Sequence, residues 1–297
     1  MQRVLAIFGP TASGKTAVAE AISGRIPAEL VSADAMQVYR GLPILTNQSE
    51  HPARLVGYLG LDEESSVADY QRRAHAAIDE ILAAGRTPVV VGGTGLYLRA
   101  AISDLELPPP PEAGARERFE TLYDELGPKR AHARLAEVDG AAAAVVHAND
   151  RRRVVRALEL ADAGSSLLPT ANRLWGAETR HPTLIVGLEV GPAELARRIE
   201  RRTQEMFDRG VEAEVERALR GPVSRTALTI HGLSDVAGLP REQAIDAVVV
   251  RTRRYAAYQR KWMRRIPGLV PVDAERPAGE LAGEILSLAE QVGSVAG

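Results

Sequence analysis

Hydrophobic positions along this chain repeat with two different periods. Arg3–Phe8 (RVLAIF), Glu29–Ser32, Pro88–Val91 (PVVV) and Thr183–Val190 (TLIVGLEV) are short runs rich in apolar and β-branched residues. Such runs predict strands, and those apolar throughout predict strands covered on both faces, as in a parallel sheet. Between them the period lengthens to that of a helix. Thr16–Ser23 is an alanine-rich helical stretch following the first strand. Val67, Tyr70, Ala74, Ile78 and Ile81 share one face of a predicted helix that stops at Gly85, and Ser66 with Asp69 predicts a capping box at its start. Strand, helix and strand alternating at this pitch predict a doubly wound α/β core.

The pattern changes at Leu107-Pro108-Pro109-Pro110-Pro111, a proline run that can continue neither a helix nor a central strand and is expected to be a stiff connector. Only helical patterning follows as far as about Arg180, including Arg116–Leu126, Arg130–Glu137 and Arg152–Ala163. After the strand at Thr183 a helix is expected over Pro192–Arg209, and from Pro271 a strand remnant, a terminal helix and a frayed Gly-Ser-Val-Ala-Gly tail. The predicted organisation is therefore an α/β core whose first part is 1–111, a helical insertion over 112–180, and the second part of the core with C-terminal helices over 181–297.

Composition narrows the picture. With 45% hydrophobic and 26% charged residues among 297, the chain has the balance of a globular protein and not of a disordered one. The absence of cysteine excludes disulfides, thiolate zinc sites and a cysteine nucleophile. The N-terminus runs directly into the first strand without a basic leader, and apolar runs such as Ala141–Val146 and Ala244–Val250 are too short to cross a bilayer. A cytoplasmic protein with no membrane partner is expected. The net charge of −2 provides no general attraction to a polyanion, so a nucleic-acid partner would require cations gathered on one face.

Gly9-Pro10-Thr11-Ala12-Ser13-Gly14-Lys15-Thr16 fits G-x-x-x-x-G-K-[ST] between a strand and a helix, which makes it a phosphate loop and the core P-loop NTPase-like. The glycines let successive N–H groups converge on phosphate oxygens, and the helix N-terminus adds partial positive charge. Lys15 supplies a charge to the distal phosphate and Thr16 a hydroxyl to Mg²⁺. Phosphoryl-transfer enzymes with this loop carry an acid at the end of a second core strand, whereas PVVVVGGTG ends in Gly92-Gly93-Thr94-Gly95. That favours a protein that grips a diphosphate leaving group over one that splits a triphosphate. Asp34, in Ser32-Ala33-Asp34-Ala35-Met36-Gln37-Val38-Tyr39-Arg40-Gly41, lies at the carboxyl end of the second strand, the edge of an open α/β sheet that faces its ligand.

GPTASGKT, SADAMQVYRG and VGGTGLYLRA, in this order and spacing, resemble the tRNA dimethylallyltransferase family, as do NDRRRVVRALEL, RRIERRTQEM with GVEAEV, and RTRRYAAYQRKWMRR. The resemblance covers essentially the whole chain. It implies prenylation of the adenosine beside the anticodon, with Thr11–Thr16 holding the diphosphate of dimethylallyl diphosphate together with Mg²⁺. It implies that Asp34 takes the proton of the exocyclic N6 amine as that amine attacks, and that Asp34, Ala35, Met36 and Gln37 touch the extruded base. Thr94 and Arg202 would steady the departing diphosphate. Arg116, Arg152, Arg153 and Arg156 would contact tRNA, and a monomer is expected.

The residues by themselves also allow plainer roles. Thr94 could cap the helix beginning near Gly95. Arg202 is one of four arginines in Arg197-Arg198-Ile199-Glu200-Arg201-Arg202, mostly a solvated face, and Arg151, Arg152, Arg153 and Arg156 could pair with Glu159 and Asp162. Between Arg251 and Arg265 seven basic residues without an acid suggest a phosphate-backbone footprint, while Tyr255, Tyr258 and Trp262 on a shared face suggest core. Where the family carries Gly-Thr-Ala-Lys-Pro, a histidine pair and Gly-Tyr-(Lys/Arg)-Glu, this chain has Ile44–Ser49, Arg54–Tyr58 and Gly232-Leu233-Ser234-Asp235. The alternatives to tRNA prenylation are an ATP-dependent small-molecule kinase, prenylation of free adenine nucleotides, and a non-catalytic RNA-binding switch.

Overall fold

A computed structural model describes residues 3–108, 112, 114–168 and 173–294. The chain divides into two compact units, Met1–Asp104 with Leu174–Gly297, and Leu105–Arg173. The first is built on six strands: β1 (Val4–Phe8), β2 (Ala28–Ser32), β3 (Ala53–Arg54), β4 (Thr87–Gly92), β5 (Thr183–Glu189) and β6 (Leu269–Asp273). Every pairing is parallel and the order across the sheet is β3-β2-β4-β1-β5-β6. The α/β parallel core expected from the apolar runs is present.

β1 sits inside the sheet between β4 and β5, with Leu5 opposite Val89 and Leu184, and all five of its residues are buried. Its alternate residues Leu5 and Ile7 join a cluster with Val18 and Ile22 of α1 (Lys15–Ser23) and with Leu281 and Ile285 of α11 (Ala278–Ser294). The opposite face is covered by α2 (Val67–Ala83) and α3 (Gly95–Ile102). α2 buries Tyr70, Ala74, Ile78 and Ile81 as its periodicity predicts, and each such side chain contributes roughly 1–3 kcal/mol. The predicted capping box does not form. Ser66 is the N-cap but makes no side-chain cap bond, and the Asp69 carboxylate, which would return a bond to the Ser66 N–H, is taken by Arg72 (2.8 Å) and Arg73 (2.7 Å). After β5 come α7 (Pro192–Asp208), α8 (Val211–Ala218), α9 (Leu233–Gly238) and the long α10 (Arg241–Met263).

The second unit is helical: α4 (Ala115–Val138), α5 (Gly140–Val145) and α6 (Arg151–Asp162) close around Tyr123, Ala131, Leu135, Val154, Val155 and Leu158. Gly127, at φ +76°, and Pro128 interrupt α4. Its boundaries, Leu105 and Arg173, differ from 112 and 180 for a physical reason. Arg99, fully buried in α3, donates to the carbonyls of Leu174 (3.0 Å) and Gly176 (2.8 Å), and Ser103 donates to that of Glu178 (3.0 Å), so 174–180 belongs to the sheet unit. Pro109–Pro111 of the expected connector and the last three residues of the expected tail lie outside the described residues.

Candidate active site

The strand-to-helix turn after β1 is a tight anion nest. Ala12 has φ +63° and Gly14, the N-cap of α1, φ +90°, so the backbone curls tightly, with the Thr11 N–H on Gln259 Oε1 (2.8 Å) and the Ser13 N–H on the Pro10 carbonyl (3.2 Å). Gly9 is needed for space: a Cβ there would come within 2.8 Å of Ser13 Oγ and 3.2 Å of the Leu188 carbonyl. Ser13 Oγ is itself buried without a protein partner. Lys15 Nζ donates to the Pro10 carbonyl at 2.7 Å, and burial lowers the Lys15 pKa to about 8, against the raising influence of Asp34.

Thr11, Ala12, Lys15 and Thr16 form one wall of a cavity of about 360 Å³. The loop after β2 brings Asp34, Met36 and Gln37 to it, α7 brings Ile199, Arg202 and Met206, and α10 brings Val248, Thr252, Tyr255 and Gln259. Asp34 is held by its own loop: Oδ1 accepts the Met36 N–H at 2.9 Å. Arg202 departs from its neighbours. Arg197 and Arg198 pair with Glu194, and Arg201 with Glu205, on the outer face of α7. Arg202 turns inward and donates to Thr11 Oγ1 at 2.7 Å, and desolvation lowers its pKa.

Thr94 occupies the N-cap of α3 without capping it. Its hydroxyl instead accepts the Ala35 N–H (3.2 Å) and shares a hydrogen bond with Tyr255 Oη (3.2 Å), so it stands behind the cavity and braces the loop that carries Asp34. Gln259 is 2% exposed and spans two loops, accepting from Thr11 N–H at 2.8 Å and donating to the Gly93 carbonyl at 2.9 Å. His231 lines the same cavity, its ring 4.5 Å from that of Tyr255, with its pKa lowered by desolvation and then by Arg251. Tyr255, Gln259 and His231 had no catalytic reading in the sequence. Only Gln259 carried a signal, as a polar residue in the buried stripe of Ala256, Gln259 and Met263. The expectation that Tyr255, Tyr258 and Trp262 form core is corrected: Tyr255 faces the cavity and Tyr258 is 55% exposed.

The end of β4 has no room for a metal-binding acid. A Cβ on Gly92 would lie 2.1 Å from the Ala33 carbonyl oxygen, and one on Gly93 2.2 Å from Gln259 Nε2. Among the described residues no group of three histidines or carboxylates could hold a metal ion alone. The donor set suits Mg²⁺ in another way, because that ion takes most of its ligands from phosphate and water, and the Thr16 hydroxyl and Asp34 border the cavity in which those would lie.

In the helical unit Arg116 and Arg156 converge on Glu159, which is 2% exposed, at 3.8 and 3.1 Å. Arg116 also bonds Glu120 (3.1 Å), and Arg151 bonds Asp124 (2.7 Å). Arg152 and Arg153 are exposed in the first turn of α6, whose N-cap Asp150 accepts the Arg153 N–H.

A parallel sheet with a glycine loop at the carboxyl end of its central strand, and an acid from the next loop across one cavity, defines a P-loop-like protein. The model of the IPP transferase family matches residues 37–266, and the chain belongs to that family. It is 37% identical over 297 residues to the tRNA dimethylallyltransferase of Corynebacterium glutamicum (strain ATCC 13032), covering 96% of this chain and 98% of that protein. It is 39% identical over 291 residues to the tRNA dimethylallyltransferase of Nocardia farcinica, covering 93% and 92%. The crystal structure of the full-length tRNA isopentenylpyrophosphate transferase from Bacillus halodurans superimposes with a TM-score of 0.71 at 29% identity, covering 100% of this chain and 99% of that one.

Proposed function

We propose that this chain transfers a dimethylallyl group from dimethylallyl diphosphate to N6 of the adenosine adjacent to the anticodon in tRNA, releasing diphosphate. The observation that carries the reading is one cavity holding a phosphate loop, an inward arginine and the carboxylate of Asp34 from the loop after β2, with no acid after β4. The names of the relatives at 37% and 39% identity support the same reaction.

The phosphate loop and Lys15 bind the diphosphate, and Arg202 meets it beside Thr11. The N6 lone pair attacks C1 of the prenyl group, the C1–O bond breaks with its electron pair leaving on the diphosphate, and the N6 proton passes to Asp34. Lys15 and Arg202 are fixed in a desolvated setting, where positive charge acts on the leaving group with little reorganisation. A Mg²⁺ ion held by Thr16 and the phosphate oxygens would supply further neutralisation of that charge. Thr94 keeps the Asp34 loop in place through Ala35. Ala35, Met36 and Gln37 border the extruded base, and Arg152 and Arg153, with Arg116 and Arg156 behind them, offer cations to the tRNA backbone. No helix among the described residues is long and apolar enough to cross a membrane, and this reading puts a monomer in the cytoplasm with its tRNA.

The test is transfer of labelled dimethylallyl diphosphate to an anticodon stem-loop with ATP turnover followed in parallel. Label in the RNA without ATP consumption is expected. Unlabelled RNA with a phosphorylated metabolite would return the cavity to a kinase.

A further inference from the structure

The segment GVEAEV opens α8, and Glu214 lies there between Val211 and Val215 on the buried face of the helix, 2% exposed. An acid in the first turn of a helix ordinarily serves the unpaired N–H groups of that helix. Glu214 instead reaches a loop far earlier in the chain. Its Oε1 accepts the N–H of Ile44, 170 residues away, at 2.7 Å, and its Oε2 accepts that of Leu45 at 2.8 Å.

The turn it holds, 42–48, is part of the cavity wall, through Leu45, Thr46 and Asn47. The Thr46 hydroxyl bonds the Leu42 carbonyl (2.7 Å) and the Gln48 amide that of Tyr39 (2.9 Å), but these bonds stay within the loop that follows β2. Glu214 ties that loop to a different element. What the turn offers inward is a pair of carbonyls. Gln37 Nε2 donates to those of Thr46 (3.2 Å) and Asn47 (3.0 Å), while Gln37 Oε1 accepts from Ser32 Oγ at 3.0 Å. Two carbonyls can be met only by N–H groups, so the amide has one orientation and both its donors are spent. Gln37 lines the cavity, and all it has left for a ligand is the second lone pair of Oε1.

We infer that Glu214 is a positioning residue for base selection: by holding the 42–48 turn it fixes the Gln37 amide with an acceptor, and no donor, towards the cavity. Adenine carries a donor, N6–H₂, at the ring position where guanine carries the acceptor O6. With one N6 proton directed to Asp34, the other meets Gln37 Oε1, whereas O6 would face two acceptors with nothing to donate. A Gln37 amide free to turn over would present its N–H₂ instead and pair with O6. The inference rests on the reading that the cavity receives the acceptor adenosine.

The experiment measures the affinity of the full chain, without donor, for two anticodon stem-loops that differ only in adenosine or guanosine at the acceptor position. Wild type is expected to prefer adenosine by about tenfold or more. Glu214→Gln sets an amide N–H₂ against a backbone N–H, so the turn shifts and the preference should fall to within about threefold. Diphosphate affinity should not move, because among the described residues neither Glu214 nor the turn bonds the phosphate loop or Arg202. Gln37→Met should lose the same preference, and the double variant should lose no more than Gln37→Met alone, which separates action through Gln37 from a general loosening of the fold. Glu214→Asp keeps the carboxylate and draws the turn towards α8. It should lose part of the preference, and it carries the test if Glu214→Gln does not fold. Wild-type preference in a folded Glu214 variant overturns the inference, as does a wild type without preference, an equal loss of diphosphate affinity, or an additive loss in the double variant. A wild type that prefers adenosine yet transfers no label counts against the proposed reaction and not against the role of Glu214.

Discussion

Replacing Gln259 by methionine keeps the volume of the side chain and removes both of its hydrogen bonds. The Gly93 carbonyl is buried, and losing its donor (2.9 Å) leaves an acceptor that water does not reach, at a cost of about 1–3 kcal/mol. The Thr11 N–H (2.8 Å) is only partly buried and can recover some hydration, so its loss adds up to about 1 kcal/mol. The expected destabilisation is thus roughly 1–4 kcal/mol, read as a shift in urea midpoint at constant slope. The consequence for binding is separate. Thr11 is the residue that Arg202 grips, so a free Thr11 amide lets the phosphate loop and the arginine drift together. Diphosphate affinity by calorimetry should fall at least about tenfold, the equivalent of roughly 1.4 kcal/mol. A variant that loses less than about 1 kcal/mol and binds diphosphate as before would refute the view that Gln259 braces the loop.

Four further outcomes are expected. Asp34→Asn keeps an acceptor for the Met36 N–H and removes the base, so transfer should fall by about a hundredfold or more while diphosphate affinity stays within a few-fold; equal loss of both would make Asp34 structural. Diphosphate binding should weaken as pH rises through about 8, towards tenfold per unit, because the buried Lys15 ammonium loses its proton there, and Lys15→Arg should flatten the profile. The same shift has a stability counterpart: between about 8 and 10.5 the unfolded chain holds more protons at Lys15 than the folded one, so this residue's contribution rises with pH, and Lys15→Met should abolish that rise in a denaturation series. Gly92→Ala forces a methyl to 2.1 Å from a backbone oxygen, which no rotamer relieves, and should cost about 3 kcal/mol or more in thermal unfolding, whereas an unshifted midpoint would mean that the Ala33 backbone yields freely.

The sheet was legible because its strands are apolar on both faces, and the phosphate loop because its spacing is dictated by backbone geometry. β3 was not: two residues carry no period, and its pairing with β2 depends on where the preceding loop lands. α8 and α9, of eight and six residues, are too short for a periodic signal. At the site, Asp34 and Thr94 stood out through their place at strand ends, although what Thr94 bonds could not be foreseen. Arg202 is indistinguishable from Arg197, Arg198 and Arg201 in one dimension; only the docking of α7 against the phosphate loop turns it inward. Asp69 shows the converse, a local rule overridden when two arginines one turn on compete for the same carboxylate.

The position of β1 bears on how the chain reaches this fold. Val4 pairs with Thr183, 179 residues later (183 − 4), and the whole helical unit is synthesised between them. Equilibrium cost is not the difficulty, since closing a loop of that length rather than one of about 110 residues differs by less than about 0.5 kcal/mol. The difficulty is time. While the ribosome adds Leu105–Arg173, β1 already has β4 on one side and shows an apolar open edge on the other. At about 5–20 residues per second that edge is exposed for several seconds, long enough to meet another nascent chain. The helical unit, with its own core around Leu135 and Val154, can condense during that interval and keep the growing chain compact until β5 arrives to cover the strand.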